Sequence, residues 1–102
     1  MTRGEVWLAE VGRKRRPVLV LTRSEVIDVR QLVTVAEITT SMRGLAVEVG
    51  FDHQAVGLDR ASAVNCDGLQ TIRKSQLTHR IGPMPDEAMV DVCWAINYAL
   101  GC

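Results

Sequence analysis

The sequence has few cysteines and few aromatic residues, and its charges cancel. Its three cysteines, Cys66, Cys93 and Cys102, are odd in number and far apart and form no C-x-x-C pair, which argues against a disulfide or zinc framework. We expect Cys66 and Cys93 to be small buried hydrophobic side chains instead. Twelve Lys and Arg residues balance twelve Asp and Glu residues, so the chain is no general polycation. Any contact with a polyanion must therefore be local.

Long apolar segments are also missing. No apolar run approaches the roughly 18 residues needed to cross a bilayer, and residues 1–12 lack the basic and then apolar order of a signal peptide. We therefore expect a cytoplasmic protein without membrane contact. The chain has 102 residues, of which 47% are hydrophobic, and it has no linker, repeat or low-complexity segment. These features predict a single domain spanning residues 1–102.

The most distinctive stretch is a run of four cations, Arg13–Arg16, followed at once by the apolar segment Pro17–Thr22. The short run of branched aliphatic residues predicts a buried strand, with Pro17 at its first position or on an edge. The four cations would then lie in a loop at the mouth of a core strand, where a polyanion can reach them. A solvated loop whose charges only keep the protein soluble fits the charge pattern equally well.

Short strand-like segments recur along the rest of the chain. The predicted strands are Glu5–Val11, Gln31–Thr40, Leu45–Val49, Ser62–Gly68, Leu69–Ile72 and Thr78–Gly82. Between them we predict a helical turn at Ser24–Asp28, a surface loop at Phe51–Arg60 and a tight turn at Asp67–Gly68. Many short strands with glycine turns favour a small antiparallel barrel or sandwich.

The C-terminal segment has the signals of a helix. Proline stands in its first turn, Asp86 and Glu87 lie at its positive end, and Gly101 is a natural stop. Apolar residues at steps of four, three and four predict a stripe packed on the core, formed by Met89, Cys93, Ile96 and Leu100. Val92 and Trp94 would then remain for outside contacts.

Four separated parts of the sequence resemble the MazF/PemK toxin family and occur in the family's order. They are Arg3-Gly4-Glu5-Val6-Trp7, Arg16-Pro17-Val18-Leu19-Val20, Ile38-Thr39-Thr40-Ser41, and Ser62-Ala63-Val64-Asn65-Cys66-Asp67 with Gln70-Thr71-Ile72. The resemblance spans nearly the whole chain. It implies a mainly-β fold, an SH3-like antiparallel barrel of the CcdB/PemK/MazF type with a C-terminal helix, usually a homodimer. It also implies a sequence-specific endoribonuclease for single-stranded RNA that uses no metal or cofactor. The resemblance further implies inhibition by a cognate antitoxin, whose acidic and apolar tail lies across the RNA groove.

Cleavage of RNA without a metal uses the neighbouring 2′-hydroxyl as nucleophile and leaves 2′,3′-cyclic phosphate and 5′-hydroxyl ends. The extra negative charge on phosphorus suits a guanidinium, which is always charged and offers a planar fork of donors. By its match to the family's Arg-Pro motif, Arg16 is the residue predicted to stabilise this charge. Thr39 matches the hydroxyl residue at the end of the family's third strand, which implies a hydrogen bond to the scissile phosphate.

The general base is left open between two acids. Many relatives have a longer loop between the first two strands that supplies a glutamate or histidine, and no carboxylate lies between Gly12 and Arg16 here. Asp67 matches an aspartate that acts as base in part of the family. Glu37 is the second candidate, because strand alternation places it on the same face as Thr39.

Further cations and an amide suit contact with RNA. The residues expected to bind it are Arg13, Lys14, Arg15, Arg43, Gln70, Arg73 and Lys74. Lys14 or Arg15 would also stabilise the leaving 5′-oxygen. One alternative is a non-catalytic toxin on the same fold, such as a CcdB-like gyrase binder, although those proteins end in Trp-Gly-Ile and this chain does not. A silent relative that only binds RNA or an antitoxin is another, because the loop carboxylate is missing.

Overall fold

The computed structural model describes all 102 residues and contains one six-stranded antiparallel sheet with three α-helices. In chain order the elements are β1 (Glu5–Val11), β2 (Lys14–Val20), α1 (Ser24–Ile27), β3 (Leu32–Thr39), β4 (Glu48–Gly50), α2 (His53–Val56), β5 (Ala63–Arg73), a 3-10 turn (Lys74–Gln76), β6 (Leu77–Pro83) and α3 (Asp86–Leu100). The strand order in the sheet is β4-β5-β3-β2-β1-β6. The predicted mainly-β fold with a C-terminal helix is confirmed. None of the helices combines the length and the apolar character needed to span a membrane.

The hairpin of β1 and β2 places most of the basic run inside a strand, so the predicted basic loop is wrong. β2 begins at Lys14, which pairs with Val11, rather than at Pro17. Only Gly12 and Arg13 remain for the turn. Gly12 has a φ of 64°, the positive value that a two-residue turn with glycine at its first central position requires. The tight turn thus allows charged residues to pair within the β1–β2 hairpin, although such residues are not typical of strands.

β3 divides its side chains between two apolar cores, as alternation predicts. Val33 and Val35 are buried in the smaller core, whereas Ala36 and Ile38 are buried in the larger one, which also contains residues of α3. By the same alternation, the Glu37 side chain is on the same face of β3 as the side chains of Val33 and Val35. The carboxylate therefore lies at the edge of the smaller core.

β5 is one continuous strand of 11 residues, so the predicted turn at Asp67–Gly68 is wrong. Next to β3, Leu69 pairs with Ala36 but Asn65 pairs with Glu37, which leaves three residues of β5 unpaired as a bulge. The Asn65 side chain accepts a hydrogen bond from the Asp67 N–H at 3.0 Å. This local bond satisfies the Asp67 N–H, which the bulge leaves without a partner on β3.

The predicted strand Leu45–Val49 is shortened to β4, Glu48–Gly50, which pairs with β5 at the edge of the sheet. Oε1 of Glu48 accepts hydrogen bonds from the backbone N–H groups of Arg43 at 2.8 Å and Leu45 at 3.2 Å. Arg43 and Leu45 are held in an irregular segment by these bonds, so the strand begins only at Glu48.

The predicted loop Phe51–Arg60 contains a one-turn helix, α2. Asp52 caps this helix by accepting hydrogen bonds from the N–H groups of Gln54 at 3.1 Å and Ala55 at 3.3 Å. Gly57 ends it in the left-handed conformation, with a φ of 105°.

α3 ends at Gly101 as predicted, but it buries a different stripe. The buried residues are Ala88, Val92 and Ala95. Their small side chains let the helix backbone lie close to β4 and β5. Of the predicted stripe, Met89 and Ile96 are half-buried and pack against the larger core. Cys93 and Leu100 are exposed, so the prediction that they are buried is wrong. Val92 is fully buried, so the prediction that it remains for outside contacts is also wrong. Cys66 is buried as predicted, and Trp94 is 75% exposed.

Candidate active site

A cavity of about 230 Å³ lies at the hairpin end of the sheet, on the face of the smaller core. Its lining residues are Ala9, Val11, Lys14, Arg16, Val18, Glu37 and Gln70. Directly opposed residues of paired strands have neighbouring side chains on one face. The pairs that build the cavity are Val11 with Lys14, Ala9 with Arg16, and Val18 with Glu37, and Gln70 is opposite Val35. Four neighbouring strands thus contribute to one site.

Arg16 is exposed at the cavity and is engaged in no ion pair. The ion pairs of the chain join Met1 with Glu5, Arg15 with Glu10, and Arg80 with Glu5. Because no acid neutralises it, the Arg16 guanidinium keeps its charge and its donors for an anion from outside.

The Glu37 carboxylate is held from two sides. Its Oε1 accepts a hydrogen bond from Nε2 of Gln70 at 2.8 Å. Its Oε2 lies against the bulge of β5, where a Cβ added to Gly68 would be only 3.0 Å away from Oε2 and 3.2 Å from Nδ2 of Asn65. The bulge therefore leaves little spare room around this carboxylate.

Thr39 lies two residues beyond Glu37 on the same face, at the end of β3. The β2–β3 ladder ends with the pair Val18–Glu37, so Thr39 lies beyond the part of β3 that pairs with β2, and it is not among the residues that line the cavity. The Thr39 hydroxyl oxygen accepts a hydrogen bond from the Ser41 N–H at 3.0 Å. Its own proton remains available for donation.

Asp67 lies in the β5 bulge and outside the cavity lining. Its residue is exposed, and its carboxylate takes part in no ion pair. The neighbouring Gly68 lies against Glu37. The two candidate bases thus differ in setting, because the half-buried Glu37 accepts a hydrogen bond from Gln70 whereas the exposed Asp67 carboxylate has no partner.

The basic run is split between the two faces of the hairpin. Lys14 and Arg16 line the cavity, whereas Arg15 points to the other face and pairs with Glu10, with 3.1 Å between Nε and Oε1. Arg13 is exposed in the turn. The sequence therefore concentrates two cations at the cavity rather than four.

Like Arg13 and Arg15, three further residues expected to bind RNA lie outside the cavity, namely Arg43, Arg73 and Lys74. Arg73 pairs with Leu32 at the far end of β3, and Nζ of Lys74 donates to the backbone oxygen of Ile27 at 2.7 Å. Arg43 lies in the exposed segment after β3. The remaining amide in that set, Gln70, does line the cavity.

Sequence reasoning missed the residues that shape the cavity without carrying charge. Ala9 and Val11 form its apolar wall, and the signal for them is the two-residue turn, which fixes the pairing of β1 with β2. Asn65 and Gly68 confine Glu37, and no sequence pattern distinguishes their bulge from a turn. No group of three or more His, Cys, Asp or Glu side chains is arranged to hold a metal ion.

Glu5, at the start of β1, has a lowered pKa. Burial acts to raise its pKa, but hydrogen bonds from Arg80, the Thr2 backbone and the Trp7 indole outweigh burial and bring the pKa to about 2. The Thr2 bond is 2.6 Å long and the Trp7 bond 3.3 Å. Because Arg80 belongs to β6, its ion pair with Glu5 links β1 to β6.

The chain was compared with known protein families and structures. Residues 2–100 match the family described as PemK-like, MazF-like toxin of type II toxin-antitoxin system. The chain is 40% identical over 103 aligned residues to the probable endoribonuclease MazF5 of Mycobacterium tuberculosis, which covers 98% of this chain and 93% of the relative.

Solved structures agree with this assignment. The Mycobacterium tuberculosis toxin MazF-mt6 superposes with a TM-score of 0.89 at 40% identity, over 95% of this chain and 96% of that one. An endoribonuclease in complex with its cognate antitoxin from a mycobacterial species has the same fold, with a TM-score of 0.89 at 23% identity over 99% and 95% of the two chains. The chain therefore belongs to the PemK-like, MazF-like toxin family of type II toxin–antitoxin systems, and it is an endoribonuclease of that family.

Proposed function

We propose that this chain is a sequence-specific, metal-independent toxin that cleaves single-stranded RNA by attack of the neighbouring 2′-hydroxyl. The products are a 2′,3′-cyclic phosphate and a 5′-hydroxyl. The observation that supports this most directly is the unpaired Arg16 guanidinium in a small cavity, on the face of the sheet that Thr39 shares. Such a site binds one phosphodiester and leaves its sugar hydroxyl to act as nucleophile.

Arg16 stabilises the charge that develops during the reaction. When the 2′-oxygen adds to phosphorus, negative charge grows on the non-bridging oxygens, and the unneutralised guanidinium lowers the barrier because its planar fork of donors stabilises this charge. The Thr39 hydroxyl donates a hydrogen bond to one of these oxygens while it accepts from Ser41. Lys14 stabilises the leaving 5′-oxygen from the same side of the hairpin, and this oxygen takes a proton from water to become the 5′-hydroxyl.

The proton of the 2′-hydroxyl passes to Asp67. Its carboxylate is exposed and free of ion pairs, so its lone pairs are open to a proton. Glu37 is the alternative base. One of its oxygens already accepts a hydrogen bond from Gln70, which leaves it fewer lone pairs open to a proton than Asp67 has.

A cognate antitoxin is the proposed partner, and a homodimer of 102-residue single-domain chains is the proposed assembly. The mycobacterial endoribonuclease solved with its cognate antitoxin is a precedent of the same fold. The unpaired cations of the cavity suit an acidic and apolar tail, which would compete with RNA there.

The test is digestion of a long RNA of mixed sequence in the presence of a chelator, followed by mapping of the ends. We expect cyclic-phosphate and 5′-hydroxyl termini at one recurring sequence. Ends with 5′-phosphates would contradict the 2′-hydroxyl mechanism. RNA that stays intact would favour a silent relative that only binds RNA or an antitoxin.

A further inference from the structure

We propose that Glu37 and Gln70 read one nucleobase of the RNA, and that they select a base with an exocyclic amino group over uracil. Guanine, adenine and cytosine carry such a group. This inference rests on the proposed function, because it requires RNA to lie along the cavity with its scissile phosphate at Arg16.

One side of the cavity is apolar, and another side carries hydrogen-bond acceptors. Ala9, Val11 and Val18 supply the wall, against which a planar base can pack. Gln70 fixes Oε1 of Glu37 at 2.8 Å, and Oε2 accepts no hydrogen bond from the chain. The fixed carboxylate therefore presents a free acceptor at a defined position.

The small size of the cavity suits a single base better than a drug-sized ligand. At about 230 Å³ it is smaller than most small-molecule pockets, which measure roughly 300–1,000 Å³. The charged groups that line it with Glu37 are Lys14 and Arg16. Both suit the phosphate backbone, whose contacts position the strand but carry no sequence information. Discrimination among bases is thus left to Glu37, and Gln70 is its positioning residue.

Chemistry decides which bases this acceptor prefers. An ionised carboxylate only accepts hydrogen bonds, and an exocyclic amino group donates them. The N3–H donor of uracil lies between two carbonyl oxygens, which would face the negatively charged oxygens of Glu37 and be repelled. Proteins read single-stranded RNA on such base edges, so uracil is the base that this site disfavours.

The test compares four RNAs that differ only at one position next to the mapped cleavage site, and each position of that site is examined in turn. For the wild-type protein we expect, at one position, a lower kcat/KM for uracil than for the other three bases. The amide of a Glu37→Gln variant both donates and accepts, so the disadvantage of uracil should shrink by roughly 5- to 150-fold. Gln70→Ala should weaken the preference at the same position, because the carboxylate is no longer held.

Glu25→Gln is the matched control, since Glu25 is exposed on α1 away from the cavity, and it should keep the wild-type preference. A Glu37→Gln variant that slows all four RNAs equally, or that retains the full preference, would overturn the inference. Failure of the proposed function looks different, because the wild-type protein itself would then leave every RNA intact.

Discussion

Arg15 and Glu10 form an ion pair, with 3.1 Å between Nε and Oε1, on the face of the β1–β2 hairpin that Arg16 does not share. Two adjacent, exposed arginines thus have different surroundings. Arg15 has an acid as its partner and Arg16 has a cavity. The two arginines cannot be told apart by their position in the chain, but they differ in what their side chains contact.

We therefore expect Arg16→Ala and Arg15→Ala to differ in activity although each removes one exposed guanidinium. Loss of Arg16 should reduce cleavage by about 100-fold or more, because it removes a donor aimed at the developing charge. Stability should change by no more than about 0.5 kcal/mol in either variant, as is usual for surface positions. Initial cleavage rates and thermal unfolding measure both effects. Comparable activity in the two variants would contradict the assignment of Arg16.

The two candidate bases are separated by Asp67→Asn and Glu37→Gln. Loss of a general base typically costs about 10²- to 10⁴-fold, and we expect this loss in kcat for Asp67→Asn. Glu37→Gln should keep kcat for its best RNA within about tenfold of wild type. Single-turnover rates at saturating RNA measure the difference. If the larger loss falls on Glu37→Gln, the roles of the two acids must be exchanged.

Gly68→Ala tests the space around Glu37. The added Cβ would lie 3.0 Å from Oε2 and 3.3 Å from the Glu37 Cβ, so the carboxylate must move by a few tenths of an ångström. We expect a several-fold loss of base preference, since precise placement of a contact governs its effect. Gly50→Ala in β4 makes the same change where no atom lies within 4 Å. Cleavage of the four single-position RNAs by both variants is the measurement, and equal behaviour would show that the bulge does not position Glu37.

The stability of the fold should depend on Glu5 at acid pH. Its pKa is about 2 in the folded chain and ordinarily 4.5, so the unfolded chain binds more protons between these values. The stabilisation is therefore complete above about pH 4.5 and is lost as the pH falls toward 2. Glu5→Gln should flatten the pH dependence of urea unfolding in this window. Glu25→Gln should leave this pH dependence unchanged. If the stability of Glu5→Gln falls with acid pH as steeply as that of the wild-type protein, the role given to Glu5 is contradicted.

The sequence predicted those parts of the fold that depend on local patterns. Alternation gave both faces of β3, and the glycine stop gave the end of α3. The stripe of α3 was misplaced because Ala88 and Ala95 contribute little hydrophobicity but allow close packing. The start of β2 was missed because a ladder can include Lys14 when its partner is fixed by a tight turn.

The candidate site was predicted residue by residue but not as an arrangement. Arg16, Glu37 and Gln70 meet through pairing of β2, β3 and β5, which are distant in the chain. No local pattern shows that a bulge lies between Asn65 and Leu69, and without the bulge the room for the Glu37 carboxylate cannot be foreseen. Arg15 and Arg16 look equivalent in sequence because their difference arises only from the pleat of the strand.

The two-residue turn at Gly12 and Arg13 fixes which residue of β1 pairs with which residue of β2, and therefore which β2 side chains face the cavity. Inserting or deleting a single residue there, with β1 kept in place, would slide β2 by one position and reverse every side chain on it. Arg15 would then enter the cavity and Arg16 would leave it. A change of two residues would return Arg16 to the cavity face. Insertions of an even number of residues at this turn should therefore be tolerated better than insertions of an odd number.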